Sequence, residues 1–267
     1  MPLADTFERV RSGLVHIVFL DAADKQVAGG TGFLSNGYLI TNNHVFAGPP
    51  NSRVCLRKEN QPDKPTILPY KDFATNLATG SDRNSYDFAV LDIPEIIGAS
   101  DHQFTLRSPT TKRIGEPVAL LGFPLEHQNV TCHAGIISSF YTSGVAQIVQ
   151  VDASVNAGNS GGPLIDPETG EVVGIVTRKG TGLTKLFGHL RQSIATSIQI
   201  ISNASSGISV SMGGYDPLRG AIAGQQQMYA LLDEIERQAN VGIGYAMSSD
   251  HLLAEPLIQA AIKSAAA

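Results

Sequence analysis

A mainly β fold of barrel or sandwich type, with helices entering late in the chain, is what the sequence predicts, and three observations predict it. Short apolar runs recur at near-regular spacing through residues 14–178. Glycine, proline and small polar clusters part these runs, where an alternating α/β protein would place helical patterns. After Thr181 the period changes. Leu183, Leu186, Phe187, Leu190, Ile194, Ile198 and Ile201 recur every three or four residues, the signature of an amphipathic helix.

In chain order, the first set of strands is expected at residues 14–21, 27–35, 38–41, 53–57, 66–71 and 88–93. Gly29, Gly30, Gly32 and Gly37 punctuate the second and third. A polar, proline-containing segment, 100–115, joins them to a second set at 117–123, 130–140, 148–152, 162–166 and 172–178. The helical pattern of 183–201 then breaks in a Ser/Gly-rich stretch, 203–214. Asp216-Pro217 reads as an N-cap followed by proline at the first helical position. It opens a second helix with Leu218, Ile222, Tyr229, Leu232 and Ile235 on one stripe. Residues 241–248 return to β and 250–265 form a closing helix. The domain reading is 1–104 for the first β unit, 105–182 for the start of the second, 183–240 for a helical insertion, and 241–267 for the last strand and closing helix.

The chain has 267 residues, 42% hydrophobic and 16% charged, with a formal charge of −5. Such a composition is globular, and it lacks the basic footprint that nucleic-acid binding needs. Only Cys55 and Cys132 occur, without C-x-x-C spacing or a Cys/His cluster, so neither a zinc site nor a disulfide framework is expected. Two isolated thiols fit a reducing compartment better than a single disulfide. The first eleven residues carry no apolar signal-peptide core and no run is long enough to span a membrane, so a cytoplasmic location and no membrane partner are expected. A leader removed beforehand would leave no trace here. No cofactor is expected.

The chemistry centres on Asn156-Ala157-Gly158-Asn159-Ser160-Gly161-Gly162-Pro163-Leu164. Glycine tolerates positive φ and lets another backbone approach, so Ser160 is presented on a sharp turn. The Gly158 and Ser160 N–H groups are placed to form an oxyanion hole, worth about 3–4 kcal/mol per donor in acyl-transfer chemistry. Alone, the phrase also fits a glycine-rich hairpin with a solvated serine. A base is offered by His44, which closes the apolar run Leu39-Ile40-Thr41 and enters a short turn. Asp87 stands at the mouth of Phe88-Ala89-Val90-Leu91, and period-two alternation puts it in phase with Ala89 and Leu91. A carboxylate there can accept the Nδ1–H of a histidine and fix its tautomer.

Taken together, Thr41-Asn42-Asn43-His44-Val45, Tyr86-Asp87-Phe88-Ala89-Val90-Leu91 and Gly158-Asn159-Ser160-Gly161-Gly162-Pro163-Leu164 resemble the three motifs of trypsin-like serine proteases. Gly30-Thr31-Gly32-Phe33, Gly122-Phe123-Pro124 and Val241-Gly242-Ile243-Gly244-Tyr245-Ala246 bring the resemblance closest to the HtrA branch, without its C-terminal peptide-binding (PDZ) domain. The resemblance implies two antiparallel six-stranded β-barrels, with the helical hairpin inserted in the second. It implies a serine endopeptidase in which His44 is base then acid, Asp87 its orienter and Ser160 the nucleophile, with Gly158 and Ser160 N–H groups as oxyanion hole. Substrate contacts fall to Ser154, Thr177, Arg178, Lys179, Ile243 and Tyr245. Ser154 would lie at the base of the primary pocket with Ile243 or Tyr245 narrowing it, which favours cleavage after small or medium apolar residues. The sequence lacks an Ile-Val-Gly-Gly start, so activation by N-terminal cleavage is not expected. The alternatives are a catalytically silent binding module on the same fold and an esterase. The insertion is read either as packing or as a regulatory device that meets a partner protein.

Overall fold

The computed structural model describes residues 2–124, 128–177, 182–205, 216–239 and 242–265. The chain divides into two compact units, Met1–Arg178 with Gly242–Ala267, and Lys179–Val241. The first opens with helix α1 (Leu3–Val10), then strands β1 (Leu14–Leu20), β2 (Gln26–Ser35) and β3 (Tyr38–Thr41), helix α2 (Asn43–Phe46), β4 (Arg53–Lys58), β5 (Thr66–Pro69), helix α3 (Tyr70–Thr75), β6 (Leu77–Ser81) and β7 (Phe88–Leu91). It continues with β8 (Pro117–Gly122), β9 (Thr131–Ser143), β10 (Ala146–Val151), β11 (Pro163–Ile165) and β12 (Val172–Thr177). Helices α4 (Gly182–Ser205) and α5 (Pro217–Ala239) make the second unit. The chain then returns to the first with β13 (Gly244–Ser248), α6 (Asp250–Leu253) and α7 (Pro256–Ala265).

The strands form two antiparallel β bodies. β8–β13 close into a six-stranded barrel in the order β10-β13-β12-β11-β8-β9. The N-terminal body is a seven-stranded sheet in the order β5-β4-β1-β2-β3-β7-β6. The seventh strand, β6, lacks a sequence signal: Leu77 is its only large apolar residue, and its pairing with β7 slips between Leu77 and Thr79. At the other edge β5 ends on Pro69, which cannot donate to a further ladder.

Period-two alternation on these strands fills three apolar layers. Val15, Ile17, Leu34, Leu39, Ala89 and Leu91 line the first body. Val118, Leu120, Val149, Leu164 and Val176 fill the barrel. The alternate residues, including Phe33, Ile40, Phe88, Val90, Ala119 and Leu121, make a shared layer with Phe104, Leu252 and Ile258. Each large side chain so buried contributes about 1.5–3 kcal/mol, so the seam between the bodies is a core in its own right.

Two local features differ from the sequence reading. The polar opening forms α1, whose Leu3, Phe7 and Val10 share one face and pack on the shared layer. Thr6 Oγ1 donates to Pro167 O at 2.8 Å and Arg9 Nη2 to Thr169 O at 2.9 Å, tying the helix to the β11–β12 turn. The closing helix is two helices, because Pro256 lacks an N–H and pushes the residue before it out of helical geometry.

His16 on β1 is buried at 1% exposure, its ring stacked 4.7 Å from Phe123, and neither ring nitrogen has a hydrogen-bond partner among the described residues. Burial, with the Arg57 charge adding to it, lowers its pKa from 6.5 to about 4. The folded protein therefore refuses a proton that the unfolded chain accepts. The stability His16 contributes is full above about pH 6.5 and falls as pH drops toward 4, by about 3 kcal/mol at 1.36 kcal/mol per unit. Urea unfolding of His16→Leu at pH 7.5 and pH 4.5 should show a much smaller pH difference than wild type. An equal difference would place the acid sensitivity elsewhere.

Candidate active site

β3 runs to Thr41, Asn42 stays extended, and α2 begins at Asn43, which places His44 in the first turn beyond the sheet edge. The His44 side chain is 22% exposed. Its Nδ1 lies 2.8 Å from Asp87 Oδ2, and its backbone N–H donates to Asp87 Oδ1 at 3.1 Å. A carboxylate only accepts, so the geometry assigns the ring proton to Nδ1 and leaves Nε2 with a free lone pair.

Asp87 stands just before β7 rather than in it. Its φ of 48° lies in the left-handed region, so the alternation that put it in phase with Ala89 and Leu91 does not reach it. What aims the side chain is this turn. Asp87 N–H donates to Asp82 O at 3.0 Å, and Asn42 Nδ2 donates to Asp87 O at 2.8 Å. A third donor, Thr177 Oγ1 at the end of β12, reaches Oδ2 at 3.0 Å. The carboxylate, 2% exposed, thus takes two hydrogen bonds from His44 in the N-terminal body and one from Thr177 in the barrel.

The Ser160 loop is docked on the first sheet. Thr31 N–H donates to Ser160 O at 2.8 Å, and Gly161 N–H donates to Val176 O at 2.8 Å. Gly158 and Gly161 have φ of 98° and 86°. A Cβ on Gly161 would sit 2.1 Å from Thr31 O, 2.2 Å from Thr41 Oγ1 and 3.1 Å from Asn42 N. The backbone beside Ser160 therefore abuts the end of β3 and Asn42, two residues before His44. Ser160 itself is 7% exposed. Among the described residues its Oγ makes no hydrogen bond, and neither Gly158 N–H nor Ser160 N–H donates to a protein acceptor.

The expected substrate contacts separate. Ser154 is half-buried and its Oγ accepts from Gly242 N–H at 3.1 Å, while Ile243 beside it is 48% exposed. Asp152 is exposed. Gly244 faces inward, where a Cβ would meet Val155 Cγ2 at 2.6 Å. The Thr177 side chain is buried on Asp87, so a substrate contact at this position would fall to its backbone. One assignment needs correction. Tyr245 alternates with Gly244 and Ala246, so its ring turns to the other face of β13, edge-on to Tyr141 at 6.4 Å. Arg178 and Lys179 lie outside the described residues. No group of three or more His, Cys, Asp or Glu side chains suited to a metal occurs among the described residues, and Cys55 and Cys132 are both free. The sequence reading missed Thr177 as a partner of Asp87 and Thr31 as a clamp on the serine loop. A buried threonine at a strand end carries no signal of its own.

Residues 30–175 match the family model described as a trypsin-like peptidase domain, and the chain belongs to that family. It is similar over 157 residues to a probable periplasmic serine endoprotease DegP-like of Hahella chejuensis, at 34% identity, covering 55% of this chain and 29% of that protein. It is 30% identical over 178 residues to the mitochondrial serine protease HTRA2 of Drosophila grimshawi, covering 62% of this chain and 38% of the relative. Among solved structures, the serine endoprotease from Yersinia pestis superposes with a TM-score of 0.51 at 26% identity, over 67% of this chain and 58% of the other. The likeness is to the HtrA type, and the chain spans well under half the length of these two curated relatives.

Proposed function

We propose that the protein is a serine endopeptidase that hydrolyses peptide bonds of protein or peptide substrates through Ser160, His44 and Asp87. The observation that carries the proposal is the buried Asp87 carboxylate holding both the ring and backbone N–H groups of His44, beside the docked Gly158–Gly161 turn. Ser160 Oγ attacks the substrate carbonyl carbon and gives its proton to His44 Nε2. The carbonyl oxygen takes the negative charge and accepts the unpaired N–H groups of Gly158 and Ser160. The intermediate collapses to an acyl-enzyme, and the departing amine takes the proton from His44. Water, deprotonated by the same Nε2, then releases the acid. The Ser160–His44 hydrogen bond forms when substrate arrives, since catalytic hydrogen bonds of free enzymes are commonly long or poorly aligned. The unmade Ser160–His44 bond also supports a second reading, a catalytically silent binding module, from which the first differs by covalent labelling of Ser160 with a fluorophosphonate.

Ser160→Ala and His44→Ala should each abolish peptide hydrolysis while circular dichroism shows the fold intact, because the triad acts as a unit. Asp87→Asn should lower kcat on the order of 10⁴-fold by stabilising the wrong tautomer. Near wild-type turnover by Ser160→Ala would overturn the assignment.

Cleavage should follow small or medium apolar residues such as Val, Ala or Leu. Ser154 offers no charge for a substrate Lys or Arg, the one nearby acid in sequence, Asp152, is exposed, and an ammonium buried without a partner costs several kcal/mol. Peptide-library profiling that returns dominant cleavage after Arg or Lys would overturn this preference.

The helical insertion is proposed to regulate the site through a partner protein. It connects β12 to β13, which pair directly at Val176–Ala246 and Thr177–Tyr245. Thr177 at one end holds Asp87, and Gly242 at the other holds Ser154, so a pull on the connection has a short path to both. Leu186, Leu190, Ile200, Met228 and Leu231 are exposed on α4 and α5 and give a partner apolar surface to bind. Replacing residues 183–240 by a short Gly/Ser linker should change the rate on a small peptide or the cleavage-site profile on a protein. If both match wild type, the insertion is scaffold only.

A further inference from the structure

We infer that Thr31, on β2, is a positioning residue: its hydroxyl holds the Gly158–Asn159 peptide so that the Gly158 and Ser160 N–H groups face the reacting carbonyl oxygen. The inference deepens the serine-hydrolase reading and rests on it. Thr31 is fully buried, and each of its polar atoms is engaged at the seam between the two β bodies. Its N–H donates to Ser160 O at 2.8 Å, and its carbonyl accepts from Thr41 Oγ1 at 2.7 Å. Its Oγ1 accepts from Phe123 N–H at 2.9 Å and donates to Gly158 O at 2.8 Å.

The direction of these bonds follows from the groups themselves. Phe123 N–H can only donate and Gly158 C=O can only accept, so the group between them must do both. A hydroxyl does; a methyl does neither, and a thiol does so weakly. The space is equally restrictive. A Cβ on Gly122 would meet Thr31 Oγ1 at 3.0 Å, and one on Gly162 would meet Thr31 Cγ2 at 3.2 Å.

The consequence appears when the peptides of the serine loop are taken one by one. The Gly158–Asn159 peptide is fixed at both ends, its oxygen by Thr31 and its N–H by Asn156 O at 3.1 Å. The Asn159–Ser160 peptide has its oxygen on Gly162 N–H at 3.1 Å, which turns the Ser160 N–H the other way. The Ser160–Gly161 peptide is fixed by Thr31 N–H and Val176 O. Only the Ala157–Gly158 peptide, which carries the second oxyanion donor, makes no hydrogen bond at either end among the described residues. The direction of the Gly158 N–H is thus set by the torsions of Gly158 itself, starting from the plane that Thr31 fixes. With φ at 98°, in a region glycine enters freely, little else restrains it.

The test is a graded series, Thr31→Ser, Thr31→Cys and Thr31→Val, measured for kcat and KM on a peptide cleaved after an apolar residue. Affinity for a peptidyl boronate, whose adduct with Ser160 mimics the tetrahedral oxyanion, and hydrogen exchange at the Asn159 amide are measured on the same proteins. Thr31→Val should lower kcat on the order of 10- to 100-fold with KM within a few-fold, and weaken the boronate by a similar factor. Thr31→Ser should stay within a few-fold of wild type, Thr31→Cys should fall between, and Asn159 exchange should speed up in the Val variant but not the Ser variant. Should Thr31→Val not fold, the order Thr, Ser, Cys decides. Wild-type kcat and boronate affinity in Thr31→Val, or in Thr31→Cys where Val does not fold, would overturn the inference, as would a Ser variant as impaired as the most impaired one. If the wild-type protein neither turns over substrate nor labels with a fluorophosphonate, the endopeptidase reading fails by itself. Asn159 exchange across the series then still decides whether Thr31 holds the loop.

Discussion

A carboxylate removed from water must find hydrogen-bond donors or cost several kcal/mol, and at Asp87 those donors come from two different β bodies. His44 supplies two from the turn after β3, and Thr177 supplies one from the end of β12. The N-terminal sheet and the barrel must be seated on each other for the group to be satisfied. Asp87 also occupies a left-handed backbone conformation, a strain of about 1–2 kcal/mol for a residue with a Cβ, held by Asn42 and Asp82. Aspartate is one of the few side chains that visit this region, so the position selects its residue twice, by conformation and by charge.

The same seam explains the glycines around Ser160. Gly161 approaches Thr31, Thr41 and Asn42 so closely that any side chain would displace the serine loop from the sheet that carries His44. Gly122 leaves room for Asn159 and the Thr31 hydroxyl in the same way. Beneath these contacts lies the shared apolar layer of Phe33, Ile40, Phe88 and Leu121, close-packed across the seam between the bodies. The geometry of the candidate site is thus a product of core packing, with the polar groups placed where two packed faces end.

The β character, the helical insertion and the three motif stretches were legible because each rests on local pattern: alternation, a 3.6-residue period, glycines at a turn. Features set by distant partners were not. β6 is a strand because β7 offers it a ladder, although its own residues are mostly polar and small. The Thr177 side chain points across the seam to Asp87, a direction fixed by β12 meeting another sheet. Asp87 was chosen by an alternation argument that the turn at that residue overrides. Tyr245 shows the converse: counting alternation from Ala246 puts it on the face of β13 opposite Ala246. The break at Pro256 was visible in the sequence and follows from proline chemistry alone.

β12 and β13 are neighbours in the barrel and antiparallel, and such a pair needs no more than a tight turn between them. The barrel therefore does not require α4 and α5 for its topology. Loop-closure entropy grows only with the logarithm of length, so a long connection is tolerated at small cost to folding. The insertion makes its own compact unit, with α4 lying against α5, and Phe187 and Ile194 are its most buried large apolar residues among those described. Other apolar side chains on both helices remain in water. Both ends of the connection reach residues of the proposed site, through Thr177 to Asp87 and through Gly242 to Ser154. A binding event on the helices that favoured one geometry of these ends over another would shift the site by the difference in its affinity for the two, and by no more than that.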